Sequence, residues 1–242
     1  MSLLFTSEQV SAGHPDKICD QVSDAILTEC LKQDPYTRAG IECLIKNNNL
    51  FIAGEVTTSA NVDITSIAKN TITPLMEHGE TIKVYNYLST QSPDIAMGVN
   101  IGGAGDQGMM FGYACRDTEE MMPLPWAMAT EALKALDELR INNPTLGFLP
   151  DAKSQVSYDR KNNIITTFLI STQHTANADM EKIKRWSHHI MYDICDRYGL
   201  KPPVQKLVNP TGRFVVGGPF ADAGLTGRKI IADTYGGYCA HG

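Results

Sequence analysis

Apolar side chains recur along this chain with two alternating periods. Ile18, Val22, Ala25, Ile26 and Cys30 fall at helical spacing and predict a helix from about Pro15 to Lys32, ended by Asp34-Pro35. Ala39 to Ile45 and Leu50 to Thr57 read as strands, and Asn47-Asn48-Asn49 between them is turn chemistry because Asn tolerates positive φ. The resulting hairpin carries one glutamate in each strand, Glu42 and Glu55. A two-residue turn at Asn48-Asn49 would set the glutamates opposite one another; a loop one residue longer would send them to opposite faces. A second helix is expected from Asp63 to about Met76, with Pro74 straining its last turn and Gly79 as its stop. The run Thr81 to Leu88 then reads as a strand.

The same order returns about 110 residues later. Leu124 to Leu139 is helical by periodicity, and Ser154 to Tyr158 and Ile164 to Ser171 are strands around the turn Arg160-Lys161-Asn162-Asn163. Asp179 to Tyr198 is a long helix closed by Gly199, and Val204 to Val208 supplies a last strand. Antiparallel hairpins alternating with helices predict an α+β fold with helices on one face of each sheet, rather than a doubly wound parallel sheet. The first unit spans 1–92 and the second 109–216, joined by a loop-rich connector at 93–108. Residues 217–242 read as the start of a third unit that lacks the helix and hairpin needed to complete it.

Composition narrows the classes. A chain of 242 residues, 43% hydrophobic, can bury a substantial core. A net charge of -6 argues against nucleic acid as a partner, although it leaves room for a local basic pocket. No apolar run approaches a membrane span, and Met1 to Glu8 lacks the basic start and apolar core of a signal peptide, so a cytoplasmic location without membrane attachment is expected. Cys19, Cys30, Cys43, Cys115, Cys195 and Cys239 form no C-x-x-C pair and read as reduced thiols rather than a zinc site.

Several polar clusters allow both a structural and a chemical reading. Gly13-His14-Pro15-Asp16-Lys17 has Pro and Asp where a helix start favours them, yet it combines an imidazole, a carboxylate and an ammonium. Gly103 to Gly108 fits G-x-G-x-x-G, but Met109 to Ala114 after it looks like a strand, whereas a dinucleotide fingerprint opens a helix; the stretch is then a glycine loop presenting Asp106 or a plain connector. Asp151 and Lys153 form a surface ion pair or part of a site. Asn209 to Phe214 is a turn into a core aromatic, or a platform where Phe214 stacks a base beside Arg213. Asp222 to Lys229 lacks Walker A spacing; it is a solvated basic turn, or Arg228 and Lys229 with Asp222 suit phosphates and a divalent metal. His174 and the pair His188-His189 have no partners at metal-ligand spacing and read as structural.

Taken together, Gly13 to Lys17, Gly54 to Ala60, Gln91 to Ile95, Gly103 to Gly108, Pro150 to Gln155, Ser171 to His174, Asn209 to Phe214 and Gly224 to Lys229 occur in the order that resembles methionine adenosyltransferase (S-adenosylmethionine synthetase). The resemblance implies three similar α+β units about a pseudo-threefold axis, and sites built between two subunits of a homodimer or dimer of dimers. It implies transfer of the adenosyl group of ATP to the sulfur of L-methionine, with hydrolysis of the displaced triphosphate to phosphate and diphosphate. By the same resemblance, His14 assists departure of the triphosphate, and Lys153, Arg228 and Lys229 face the phosphates. Asp151, Arg213 and Phe214 position the adenosine; Glu55, Gln91 and Asp106 serve methionine, and Asp222 helps bind methionine or organise the metal site. Asp16 is implied as a Mg²⁺ ligand and Glu42 as the K⁺ ligand.

Two departures stand out. The connector between Ile95 and Gly102 is shorter than the family's lid loop, and the sequence stops before a glycine-rich segment with two further phosphate-facing lysines and a metal-binding aspartate. Three readings remain: a transferase completed by its C-terminal part, in the same chain or as a separate polypeptide; a weak or inactive form that still binds ATP or a partner; and an interaction module that has lost nucleotide binding.

Overall fold

The computed structural model describes residues 3–77, 81–92, 102–104 and 107–242. Gly79, Asp106 and most of the 93–108 connector lie outside the described residues. Strand β1 (Leu4–Val10) leads into helix α1 (Pro15–Gln33), the hairpin β2 (Arg38–Lys46) and β3 (Asn49–Thr57), helix α2 (Ile64–Ile72) and strand β4 (Lys83–Ser89). The second series is α3 (Leu124–Asn142), β5 (Phe148–Asp159), β6 (Ile164–His174), α4 (Met180–Arg197) and β7 (Gln205–Val208). Three short elements follow: α5 (Gly218–Ala221), β8 (Gly224–Leu225) and α6 (Ile230–Asp233). The fold is mixed α+β, as the periodicity predicts.

Local chemistry sets the boundaries. Asp63 caps α2 by accepting from Ser66 N at 3.1 Å, and Pro74 falls in a 3-10 turn at Thr73–Leu75, so the helix closes earlier than its apolar pattern suggests. Asp179 caps α4 through Glu181 N at 3.0 Å. In the β2–β3 hairpin the chain reverses at Asn47, with φ 54°, and Asn48, so that Lys46 faces Asn49. The turn therefore sits one residue earlier than Asn48-Asn49. Glu42 pairs with Ala53 and Glu55 with Gly40, which leaves the two glutamates on one face but diagonally displaced.

Two four-stranded sheets result, in the orders β8-β2-β3-β4 and β1-β5-β6-β7. They share one topology. In each, the second hairpin strand is joined through a helix to a parallel third strand, β4 on β3 and β7 on β6. In each, the first hairpin strand carries an antiparallel edge strand from elsewhere in the chain, β8 on β2 and β1 on β5. Helices α1 and α2 bury Ile18, Val22, Ile26, Ala68 and Ile72 against Cys43, Ile45, Leu50 and Ile52 of the first sheet. Helices α3 and α4 bury Met128, Ala132, Ile183, Met191 and Ile194 against Val156, Ile165, Phe168 and Ile170 of the second. Each Val, Leu, Ile, Met or Phe side chain among these contributes roughly 1.5–3 kcal/mol when removed from water.

The other face of the first sheet is different. Leu225, Leu44, Phe51 and Tyr85 align across its four strands at one level of the register, and all four are exposed. The Phe51 and Tyr85 rings stack with centroids 4.8 Å apart. One sequence expectation is overturned here: Met109 to Ala114 forms no strand. Among the described residues no strand pairs with it, and Met109 and Met110 are 75% and 90% exposed, so its apolar residues have no ladder to join. Helix α3 begins only at Leu124, so the glycine segment before it lacks the adjoining helix of a dinucleotide fingerprint as well.

Candidate active site

The loop from β1 into α1 is pinned from both sides. A Cβ on Gly13 would lie 2.5 Å from Pro150 Cβ and 2.6 Å from its carbonyl carbon, so only glycine fits where the first unit touches the second. His14 is the N-cap of α1, with φ −65° and ψ 136°, and its Nδ1 accepts from Asp16 N at 3.2 Å. An imidazole here does the work usually left to Ser, Asp or Asn. With Nδ1 occupied as an acceptor, the proton of the neutral ring sits on Nε2.

Electrostatics keep that ring neutral. Burial, followed by the ammonium groups of Lys229 and Lys153, lowers the His14 pKa from 6.5 to about 4, against the opposing pull of Asp16 and Asp222. Asp16 is buried, which alone would raise its pKa, but hydrogen bonds from Lys229 Nζ and from Leu225 N at 3.0 Å, with the Lys229 charge, bring it below the ordinary value. The segment that delivers these donors lies directly on the helix start: a Cβ on Gly224 would fall 2.1 Å from Pro15 O. Gly227 N donates to Asp20 Oδ1 at 2.9 Å, and Lys17 pairs with Asp20 at 3.1 Å and with Asp233.

The second unit contributes Asp151 and Lys153 from β5. Asp151 is buried and accepts from Gly218 N at 2.8 Å through Oδ2, while its buried Oδ1 has no partner among the described residues. Burial raises its pKa, opposed by the Gly218 hydrogen bond and the Lys153 charge. Lys153 is exposed, level with Val10 and Ser171 in the ladder. The structure thus gathers His14, Asp16, Lys153, Asp222 and Lys229 into one electrostatic neighbourhood, with Asp151 beside Lys153 and Asp222. Arg228 is exposed next to Lys229.

Other sequence candidates stand apart from this group. Glu42 receives the Thr226 hydroxyl on the exposed face of the first sheet, and Glu55 is exposed on the same face. Gln91 lies just past β4, and its buried Oε1 has no hydrogen-bond partner among the described residues. Among the described residues, no hydrogen bond or ion pair joins Glu42, Glu55 or Gln91 to the His14 cluster. Arg213 is exposed and Phe214 half-buried on the 209–214 turn. No group of three or more His, Cys, Asp or Glu side chains among the described residues is arranged to hold a metal ion. The Ser7, Gln9 and Trp126 contacts to Gly236 and Ala232, which strap the last segment across the second unit, had no signal in the sequence because each is a lone side chain meeting a distant backbone carbonyl.

Comparison with known proteins decides the family. Residues 2–93 match the model of the S-adenosylmethionine synthetase N-terminal domain, 101–214 that of the central domain and 216–242 that of the C-terminal domain. The chain belongs to the S-adenosylmethionine synthetase family. An S-adenosylmethionine synthase of Synechococcus sp. (strain CC9605) is 47% identical over 275 aligned positions, covering 99% of this chain and 66% of that protein. Proteins of the same name from Parasynechococcus marenigrum (strain WH8102) and Prochlorococcus marinus (strain AS9601) are 46% and 43% identical, with 65% and 66% of their own lengths covered. This member of the family therefore spans about two thirds of the length of the curated relatives it matches. No helix among its described residues is long and apolar enough to cross a membrane.

Proposed function

We propose that this chain contributes the N-terminal and central parts of a cytoplasmic methionine adenosyltransferase. The methionine sulfur attacks the ribose 5′ carbon of ATP; the sulfur–carbon bond forms as the carbon–oxygen bond breaks, and the triphosphate leaves with the electron pair. Water then cleaves the triphosphate to phosphate and diphosphate. A thioether needs no base to become a nucleophile, so the site must align the reactants and stabilise the leaving charge.

The observation that carries this reading is the convergence of a neutral, Nε2-protonated His14 with Lys153, Lys229 and two carboxylates at one helix start. His14 Nε2–H donates to the departing oxygen. Lys153, Arg228 and Lys229 face the phosphates, Arg213 and Phe214 with Asp151 position the adenosine, and Asp222 and Asp106 serve methionine. One buried carboxylate among lysines suits Mg²⁺, which takes few protein ligands and most of the rest from phosphate; Asp16 would hold it, and it would supply neutralisation of phosphate charge. Glu42 with the Thr226 hydroxyl offers oxygen ligands for K⁺.

Glu55 and Gln91 serve methionine in the site of a second copy. The exposed Leu225, Leu44, Phe51 and Tyr85 row supports a face-to-face homodimer, or a dimer of dimers, because an aligned apolar band of this kind is stable in water chiefly when covered. The units 1–92, 109–216 and 217–242 are read as three domains about a pseudo-threefold axis, with 93–108 as a short lid between the first two. The second reading is an ATP-binding or partner-binding form whose catalysis needs a separate C-terminal part.

The test gives ATP, L-methionine, Mg²⁺ and K⁺ to the 242-residue chain, alone and mixed with the C-terminal domain of the Synechococcus relative. S-adenosylmethionine with equal phosphate and diphosphate is expected in the mixture, from a species that sediments as a dimer or tetramer. ATP-dependent thermal stabilisation without product favours the second reading. Neither product nor stabilisation in either arm, or product from a monomer, overturns the corresponding part of the proposal.

A further inference from the structure

Strand β6 ends in Ser171-Thr172-Gln173-His174, a stretch to which adenosyl transfer as described assigns no task. Parallel pairing of β6 with β7 stops at Ile170 and Val208, yet the chain beyond Val208 stays attached to β6. Side chains replace the missing ladder. The Asn209 amide accepts from Thr172 N at 2.7 Å and donates to Thr172 O at 3.0 Å, as a strand peptide would. Two residues on, His174 N donates to Phe214 O at 2.9 Å, and Phe214 N donates back to the imidazole Nε2 at 3.1 Å. The ring thereby stands where a neighbouring strand would offer a carbonyl.

Only one form of the ring does this. Nδ1 lies 2.9 Å from Thr175 O, an acceptor, so Nδ1 carries the proton and Nε2 is left free to accept. Between these two clamps, Thr211, Gly212 and Arg213 are exposed, and Gly212 has φ 94°. The turn has little packing of its own, so its two ends set its course. Gln173 reinforces one end: its Nε2 donates to Val215 O at 3.0 Å and its side chain lies under Gly217, where a Cβ would come within 2.4 Å.

We propose that His174 is a positioning residue for adenosine: its buried imidazole, protonated at Nδ1 and accepting at Nε2, fixes the backbone of Phe214 and so the placement of the Phe214 ring and the Arg213 guanidinium. This rests on the reading of Phe214 as an adenosine contact. His174 is buried and touches no substrate itself.

The test compares His174→Gln, whose amide oxygen reaches about as far as Nε2, with His174→Asn, whose shorter amide does not. In the 242-residue chain, amide exchange at Phe214 should speed up about tenfold or more in His174→Asn and return toward the wild-type rate in His174→Gln, with exchange at Val156 and Phe168 unchanged. In parallel, His174→Asn should weaken MgATP binding about tenfold and leave binding of inorganic tripolyphosphate within about twofold, because only ATP carries the adenosine. Unchanged exchange at Phe214, or exchange at Val156 and Phe168 rising with it, overturns the proposal. Equal weakening of ATP and tripolyphosphate overturns it as well, since that is the mark of general loosening. If the wild-type chain binds ATP no more tightly than tripolyphosphate, the adenosine reading of Phe214 fails instead, and the exchange result alone decides whether His174 sets the turn.

Discussion

His14 meets two demands with its two ring nitrogens. Nδ1 closes the first turn of α1, and this leaves Nε2–H as a donor, provided the ring stays neutral. Replacement by Asn separates the demands, because Asn is among the best N-caps but has no donor at the reach of Nε2. In an active assembly, His14→Asn should lower the rate of S-adenosylmethionine formation by about 10²-fold or more while changing folding stability by less than about 1 kcal/mol. Parallel losses of rate and melting temperature would assign the residue to the helix start alone. The same burial has a consequence for pH. Between 6.5 and about 4, the unfolded chain binds a proton at His14 that the native protein does not, so stability rises with pH across this window and falls on acidification. The full depression corresponds to on the order of 3 kcal/mol. Asp16, lowered in its turn, loses its contribution only as pH falls below the ordinary carboxylate range. Denaturant unfolding of the metal-free chain at about pH 4.5 and about pH 7 should therefore show a stability gap that shrinks in His14→Asn. An undiminished gap in the variant would place the acid-sensitive group elsewhere.

At the scale of elements, the site depends on how closely Gly224 and β8 lie on the start of α1. Pro15 O occupies the space a Cβ at Gly224 would need, and β8 is held by its ladder to β2, so the overlap can be relieved only by moving α1 or the sheet edge. Gly224→Ala should cost about 2 kcal/mol or more in chemical denaturation. Gly227→Ala, where none of the described residues lies within 4 Å and only a φ of 71° is strained, should cost about 1 kcal/mol. Equal costs would mean that β8 is free to lift from α1. Contacts of this kind mark the limit of what the sequence makes legible. α1, the β2–β3 hairpin, α3 and α4 were readable because their signals are local: apolar spacing, an Asn turn, an Asp cap. The cluster at Gly13 to Lys17 was legible as a helix start carrying an imidazole, a carboxylate and an ammonium, but the neutrality of His14 was not, since it follows from burial and from Lys153 and Lys229, which lie far along the chain. β1 went unread because an edge strand is defined by its partner, and its partner β5 begins more than a hundred residues later.

At the scale of the whole molecule, the two sheets obey one rule of exchange. The stretch before α1 donates β1 to the second sheet, and the stretch at the start of the C-terminal match donates β8 to the first. In both cases the donated strand runs antiparallel to the first strand of the recipient's hairpin. A third sheet of the same kind, which the proposed pseudo-threefold arrangement would place in the C-terminal domain, would take its edge strand from the one donor left, the stretch before α3. That donor contains Met109 to Ala114, the strand-patterned segment that pairs with no strand among the described residues. Its Tyr113 ring packs against Tyr235 and Tyr238, with centroids 5.8 Å and 6.3 Å away, so it already lies beside the end of the 217–242 segment. When the C-terminal domain of the Synechococcus relative is added, amide exchange over 109–114 should slow while exchange over β4, the opposite edge of the first sheet, stays as it was. Phe111→Pro removes one ladder donor and should weaken that association by about tenfold, with the melting temperature of the 242-residue chain by itself unchanged because the segment carries no ladder in it. Association with undiminished affinity in Phe111→Pro, or without protection of 109–114, would mean that the third unit takes its edge strand from somewhere else.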